Sequence, residues 1–280
     1  MEPSTEKLIE LVRSSVIGSR ESIETPYGTR RITYADYTAS GRSLEFIEGF
    51  IRDQVLPLYA NTHTETSGTG RQTTRFREEA RSIIKAAAGA GPEDALIFTG
   101  SGATGAVHTL IEVMNLCLPA DLSERYHLLE TIPASERPVV FIGPYEHHSN
   151  ELPWRESIAE VVVIHEDSAG RIDVAELEAR LEEYGDRHLL IGSFSAASNV
   201  TGLLSDTAAI SMLLHRHGAL SFWDFAAAAP YVDIAMNGGG DALDYALNGR
   251  TLHVGVFDAM GHGLAAVGVA AFAISAYRNS

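Results

Sequence analysis

Residues 95–114 read ALIFTGSGATGAVHTLIEVM: an apolar run, a glycine-rich turn and an amphipathic stretch. Gly100, Gly102 and Gly105 have the spacing of a dinucleotide-binding loop, in the strand-to-helix setting that gives such a match meaning. That reading requires a second strand, ending in Asp or Glu about 20 residues past the last glycine, to bond the ribose. Residues 119–138 instead read PADLSERYHLLETIPASERP, a polar connection without a strand signal. A dinucleotide unit also normally opens its domain, whereas residues 1–94 precede this one. A single phosphate on the helix start is the better match. The backbone N–H groups of residues 102 to 105 and the helix dipole favour an anion there, and Ser101 and Thr104 add hydroxyl donors.

The pattern around the loop decides the fold class. PVVFIG (138–143), EVVVIHED (160–167), HLLIGSFSA (188–196) and ALSFWDFA (219–226) read as strands, with ALIFTG (95–100) before them. Between them, 105–118, DVAELEARLEEYG (173–185) and 205–218 carry helical periodicity, with Asp173 as an N-cap and Gly185 as a stop. Short, continuously apolar strands alternating with helices predict an α/β fold, a mostly parallel central sheet with helices on both faces. Ahead of this lie helical patterns over 1–16, 43–60 and 75–90, an alternating stretch over 30–42 and a polar loop over 61–72.

Composition narrows the function classes. The chain has 280 residues, 45% hydrophobic, with a net charge of −16, so nucleic acid and anionic membrane would both repel it. The segment 263–277 is apolar but only about 15 residues long, below the roughly 18 needed to cross a bilayer. The N-terminus lacks the pattern of a signal peptide, so a cytoplasmic protein is expected, with a mitochondrial one left open. The single cysteine, Cys117, excludes an intramolecular disulfide and reads as a buried core thiol. No metal site is expected.

Parallel sheets bind ligands beyond the carboxyl ends of their strands, and four of those ends here carry polar groups. They are GSGATG (100–105), YEHHSN (145–150) with Glu146, His147 and His148, ASNVTG (197–202) with Asn199, and WDFAAAAP (223–230) with Asp224. Each alone has a structural reading: histidines cap helices, a strand-end aspartate is often an N-cap, and Asn-Val-Thr-Gly is a turn. All four on one sheet edge point to a site.

The ordered set GSGAT, EHHSN, SNVTG and WDFAAAAP resembles the class V aminotransferase and cysteine desulfurase family of fold-type I pyridoxal-phosphate enzymes, over about residues 30–245. YADYTASGR (34–42) and YANTHTETSGTGR (59–71) are similar to that family's N-terminal, substrate-side segments. The resemblance implies that Gly102, Ala103 and Thr104 cradle the phosphate of pyridoxal 5'-phosphate, His147 stacks on its ring, Asn199 lies beside the phenolic oxygen and Asp224 pairs with the ring nitrogen. It places Asn61 and His63 near a small amino-acid substrate and implies a homodimer. A carboxylate at the ring nitrogen also makes sense unaided, since it keeps the ring cationic and able to accept electrons.

The sequence departs from the family in three places. Where a glutamine is usual three residues after the aspartate, it has Ala227. The Schiff-base lysine should follow Asp224 in a Ser/Gly-His-Lys segment, but 245–262 reads YALNGRTLHVGVFDAMGH, and the chain's two lysines are Lys7 and Lys85. Arg250 cannot replace it, because its guanidinium stays protonated. Finally, members continue into a small C-terminal domain that this chain does not contain. The expected organisation is a helical segment over 1–30, a cofactor-binding domain over 31–245 and an atypical tail over 246–280. Two readings follow: a family member acting on an amino acid by transamination, desulfuration or a related elimination, inactive for want of the lysine, or a non-catalytic protein that binds a phosphorylated ligand or a protein partner.

Overall fold

A computed structural model describes residues 5–92, 94–100 and 102–234, together with the backbone of 255–256. Arg250, Ser101 and nearly all of the expected tail lie outside the described residues. The chain divides between Ala87 and Ala88 into two compact units.

The first unit opens with helix α1, Thr5–Ser15. It continues into an antiparallel hairpin of β1, Ser22–Thr25, and β2, Gly28–Arg31. The hairpin is a finding; its signal was the Pro-Tyr-Gly turn at 26–28, with Gly28 at φ +87°. Helix α2, Glu45–Phe50, runs into a π turn, Ile51–Val55, and a 3₁₀ turn, Leu56–Leu58, that holds Pro57. Helix α3 spans Gly68–Ala87, seven residues earlier than its apolar periodicity suggested at Arg75. The polar TGRQTT start is helical because Ser67 caps it, its Oγ accepting from the Gly70 N–H at 3.1 Å; the Thr73 and Thr74 hydroxyls turn back onto the carbonyls of Thr69 and Gly70.

The second unit carries the sheet. Its first helix is α4, Gly102–Val113. The polar 119–138 connection contains α5, Ala120–Tyr126, and α6, Leu128–Thr131. Then follow β3, Val139–Ile142, α7, His148–Arg155, β4, Glu160–Val163, and α8, Val174–Glu183. The series ends with β5, Leu190–Ser195, α9, Thr207–Arg216, β6, Leu220–Asp224, and a two-residue β7, Gly255–Val256. The strand order is β4-β3-β5-β6-β7 and every pairing is parallel.

Alternation along the strands builds two layers of core. Val139 and Phe141 face Leu177 and Leu181 of α8 and Ile210, Leu213 and Leu214 of α9. Val140, Ile142, Ile191 and Phe222 face Val107, Leu110 and Ile111 of α4 and Trp154 of α7. A sheet covered on both faces needs apolar residues at every position, which is why VVFI and LIGSF read as continuous runs. Asp173 caps α8 by accepting from the N–H groups of Ala175 and Glu176, and Asp206 caps α9 through Ala209.

Two expectations fail. ALIF forms no strand: 94–100 is irregular, and no described strand pairs with it. An apolar run becomes a strand only beside a free sheet edge, and Ile97 is 68% exposed. Cys117 is exposed rather than buried. Asn115 adopts a left-handed conformation, φ +58°, which ends the helical phase and turns Leu116, 5% exposed, into the core instead.

In the middle of β5, a Cβ on Gly192 would collide with a Leu214 Cδ atom and stand 2.8 Å from Phe194 Cε2. Gly192→Ala therefore overpacks the face of the sheet that meets α9 and should cost about 1–3 kcal/mol. A lowered urea midpoint with an unchanged slope is the expected result, and an unchanged midpoint would contradict this packing.

Candidate functional site

In the strand order the chain leaves β3 to one side, toward β4, and returns on the other, to β5. In open parallel sheets, ligands bind at the carboxyl edge where that order reverses. The turns after β3 and β5 meet there, and their meeting point is Glu146. Its Oε1 accepts from the N–H of Ser195, at the end of β5, at 2.9 Å, and from the N–H of Gly143 at 3.2 Å. Oε2 accepts from the Ser195 hydroxyl at 2.6 Å and the Asn150 amide at 2.8 Å. Behind these, Asn150 Oδ1 accepts from Ser193 Oγ at 2.8 Å, and Ser193 Oγ accepts from the indole N–H of buried Trp154 at 3.0 Å.

Asp224 closes β6, directly opposite Ser195 in the register, and its backbone carbonyl accepts from the Ala196 N–H at 2.9 Å. The Asp224 side chain is buried, with Oδ1 accepting from the N–H of Ala226 at 2.8 Å. His147 caps α7: its Nδ1 accepts from the Ser149 N–H at 3.2 Å, which puts the ring proton on Nε2. The structural reading of His147 as a helix cap is therefore real, whereas Asp224 closes a turn and caps no described helix; His147 keeps its ring exposed at the same edge. Asn199 is exposed in a turn closed by the bond from the Gly202 N–H to the Ser198 carbonyl, 3.0 Å. Gly102 begins α4 with φ +63°, Ala103 is buried against the core and Thr104 is exposed.

His147, Asn199 and Asp224 thus follow three neighbouring strands of one sheet, and Gly102, Ala103 and Thr104 start a helix on that sheet's face. Asn61 and His63 belong to the first unit, both exposed before α3, with His63 at φ +67°. Sequence reasoning missed the buried group made by Asn150, Trp154, Ser193 and Ser195. Its signal was present in EHHSN, where Asn150 stands four residues from Glu146 and so one helical turn away.

A model of the family described as aminotransferase class-V matches residues 33–240. The chain belongs to that family. A protein from Halalkalibacterium halodurans named as a probable cysteine desulfurase is 26% identical over 207 residues, 72% of this chain and 46% of the relative. The cysteine desulfurase SufS of Plasmodium vivax is 27% identical over 156 residues, 54% of this chain and 25% of the relative. The chain thus spans less than half the length of these relatives. Among solved structures, apo cysteine desulfurase from Thermococcus onnurineus NA1 superposes with a TM-score of 0.62 at 18% identity, covering 85% of this chain and 52% of that one. The Escherichia coli desulfurase CsdA gives 0.57 at 19%, covering 88% and 68%. These likenesses establish the fold, a fold-type I cysteine desulfurase-like sheet, and family members are generally pyridoxal-phosphate-dependent.

Burial raises the Glu146 carboxyl above the ordinary carboxylate range; donors from Ser195 and Asn150 pull it back, and the Asp224 charge raises it further. A carboxyl with a folded pKa above its unfolded one holds its proton longer in the native state. Stability therefore falls as pH climbs from the unfolded value, about 4.3, toward the folded one. Glu146→Gln removes this slope. Urea denaturation across that window should show the stability of the wild type relative to Glu146→Gln declining with rising pH; a flat or rising difference would contradict the assignment.

Proposed function

We propose that this chain binds pyridoxal 5'-phosphate without a covalent bond and does not turn over an amino-acid substrate. The donor set fits the group at both ends. A helix that begins with Gly102 in a left-handed conformation offers N–H groups to a phosphate, and a Cβ at Gly100 would meet nothing within 4 Å, so the loop leaves room for one. Buried Asp224 offers a carboxylate to a cationic ring nitrogen, and the exposed His147 ring offers a face for stacking. The covalent anchor does not fit: no lysine follows Lys85 in this sequence. That observation carries the reading.

When bound, the cofactor supplies an electron sink for a carbanion next to an amino group. The residues do the rest. Asp224, desolvated at the strand edge, would hold the proton on the ring nitrogen. Asn199, in the turn after β5, would serve the phenolic oxygen, to which the Ala227 side chain can offer no hydrogen bond. Amino-acid substrates suit the family, with Asn61 and His63 on the substrate side of an assembled homodimer. Without a lysine amine after Lys85 the site lacks the family's covalent anchor and its usual proton carrier, so it binds but does not cycle.

Titration of the full chain with pyridoxal 5'-phosphate, followed by borohydride and peptide mapping, tests this. Reversible binding with no reduced pyridoxyl-lysine is expected. Asp224→Asn should weaken binding by about 1.5–3 kcal/mol, the worth of a hydrogen bond to a charged group, or roughly ten- to a hundredfold in Kd. A borohydride-fixed adduct on Lys7 or Lys85 that accompanies turnover would overturn the reading.

A further inference from the structure

Glu146 sits at the end of a one-way chain of donors. Trp154 Nε1–H donates to Ser193 Oγ, the Ser193 hydroxyl to Asn150 Oδ1, and the Asn150 amide to Glu146 Oε2. Ser195 donates twice more, from its N–H to Oε1 and from its hydroxyl to Oε2. On both of its oxygens Glu146 is the acceptor. The same Ser195 is the register partner of Asp224. Two carboxylates therefore stand at one buried strand edge, and Glu146 feels the charge of Asp224. Like charges in such a place are costly unless a cation joins them.

We propose that Glu146 is a positioning residue. It clamps the His147 turn to the end of β5 and forms with Asp224 an acidic pair that favours a protonated aromatic nitrogen as ligand. This rests on the reading of the edge as a site for a phosphorylated pyridine. The clamp fixes where the His147 ring stands, because Gly143, Glu146 and Asn150 tie both ends of the turn before α7 gains its first full turn. The pair acts by charge: a second carboxylate next to Asp224 strengthens its hold on a cation. Among the described residues, Tyr145 on the same turn feels the charge of Glu146, with Asp167 and Glu166 acting on it as well, and His147 follows Glu146 in sequence. Helix α4, which packs with α7 in one core layer, carries His108 and Glu112, both exposed.

The test uses pyridoxamine 5'-phosphate, which keeps phosphate and ring but has no aldehyde and so needs no lysine. Wild type, Glu146→Gln and Glu146→Asp are titrated across pH, and ring protonation is read from the absorption spectrum of the bound ligand. In Glu146→Gln the bound ring should lose its proton about one unit lower, making the protonated ligand bind about tenfold more weakly, and Glu146→Asp should recover most of that. A merely structural role would weaken binding equally at every pH and leave the ring midpoint unmoved, which overturns the proposal. A ligand-free arm separates this from the reading it rests on. By carbon-13 NMR, the Asp224 carboxyl should titrate at lower pH in Glu146→Gln, since a like charge has gone. The reciprocal measurement, Glu146 in Asp224→Asn, should move the same way. Wild type that ignores pyridoxamine 5'-phosphate refutes the binding reading, whereas unmoved carboxyl midpoints refute the pair.

Discussion

The bonds from Ser195 to the Glu146 carboxyl tie the turn after β3 to the end of β5, the two strands between which the sheet order reverses. Such a reversal point is where open parallel sheets bind ligands, and backbone N–H groups at the strand ends there need acceptors. Glu146 supplies the acceptors for two of them, at Gly143 and Ser195. The positions of His147, Asn150 and Asp224 all follow from this closure, because each lies within one residue or one helical turn of a group that it fixes.

The closure is stiff because its support lies in the core. Trp154 is fully buried, stacks on Phe222 with an interplanar angle of 16°, and aims its N–H at Ser193 in the middle of the central strand. The packing that stabilises one face of the sheet therefore also orients the polar chain that ends at the site. Such networks are worth most when every member is satisfied. Asn150, Ser193 and Ser195 meet that condition while nearly excluded from water.

Much of this was legible from residues alone. VVFI and LIGSF gave themselves away as two-sided strands, Asp173 as a cap, and EHHSN and WDF as strand-end clusters. What escaped depended on partners far away in sequence. ALIF has the composition of a strand, but pairing needs an adjacent edge, which composition does not encode. Cys117 looked buried because one left-handed residue, Asn115, shifts the phase of everything after it. The role of Ser195 appears only when Glu146, 49 residues away, is brought alongside, and that of Ser193 only beside Asn150.

The two halves of the site are not equally prepared for a ligand. On the ring side, the acceptors of Glu146 and the cap of His147 are formed within the protein itself, so a ligand meets groups already in place and little ordering is required of them. On the proposed phosphate side, α4 is preceded by an irregular segment, 94–100, that pairs with no strand among the described residues. In a chain whose last lysine is Lys85, a ligand bound as proposed is held by non-covalent contacts, and groups already fixed around Asp224 keep the ordering cost on the ring side small.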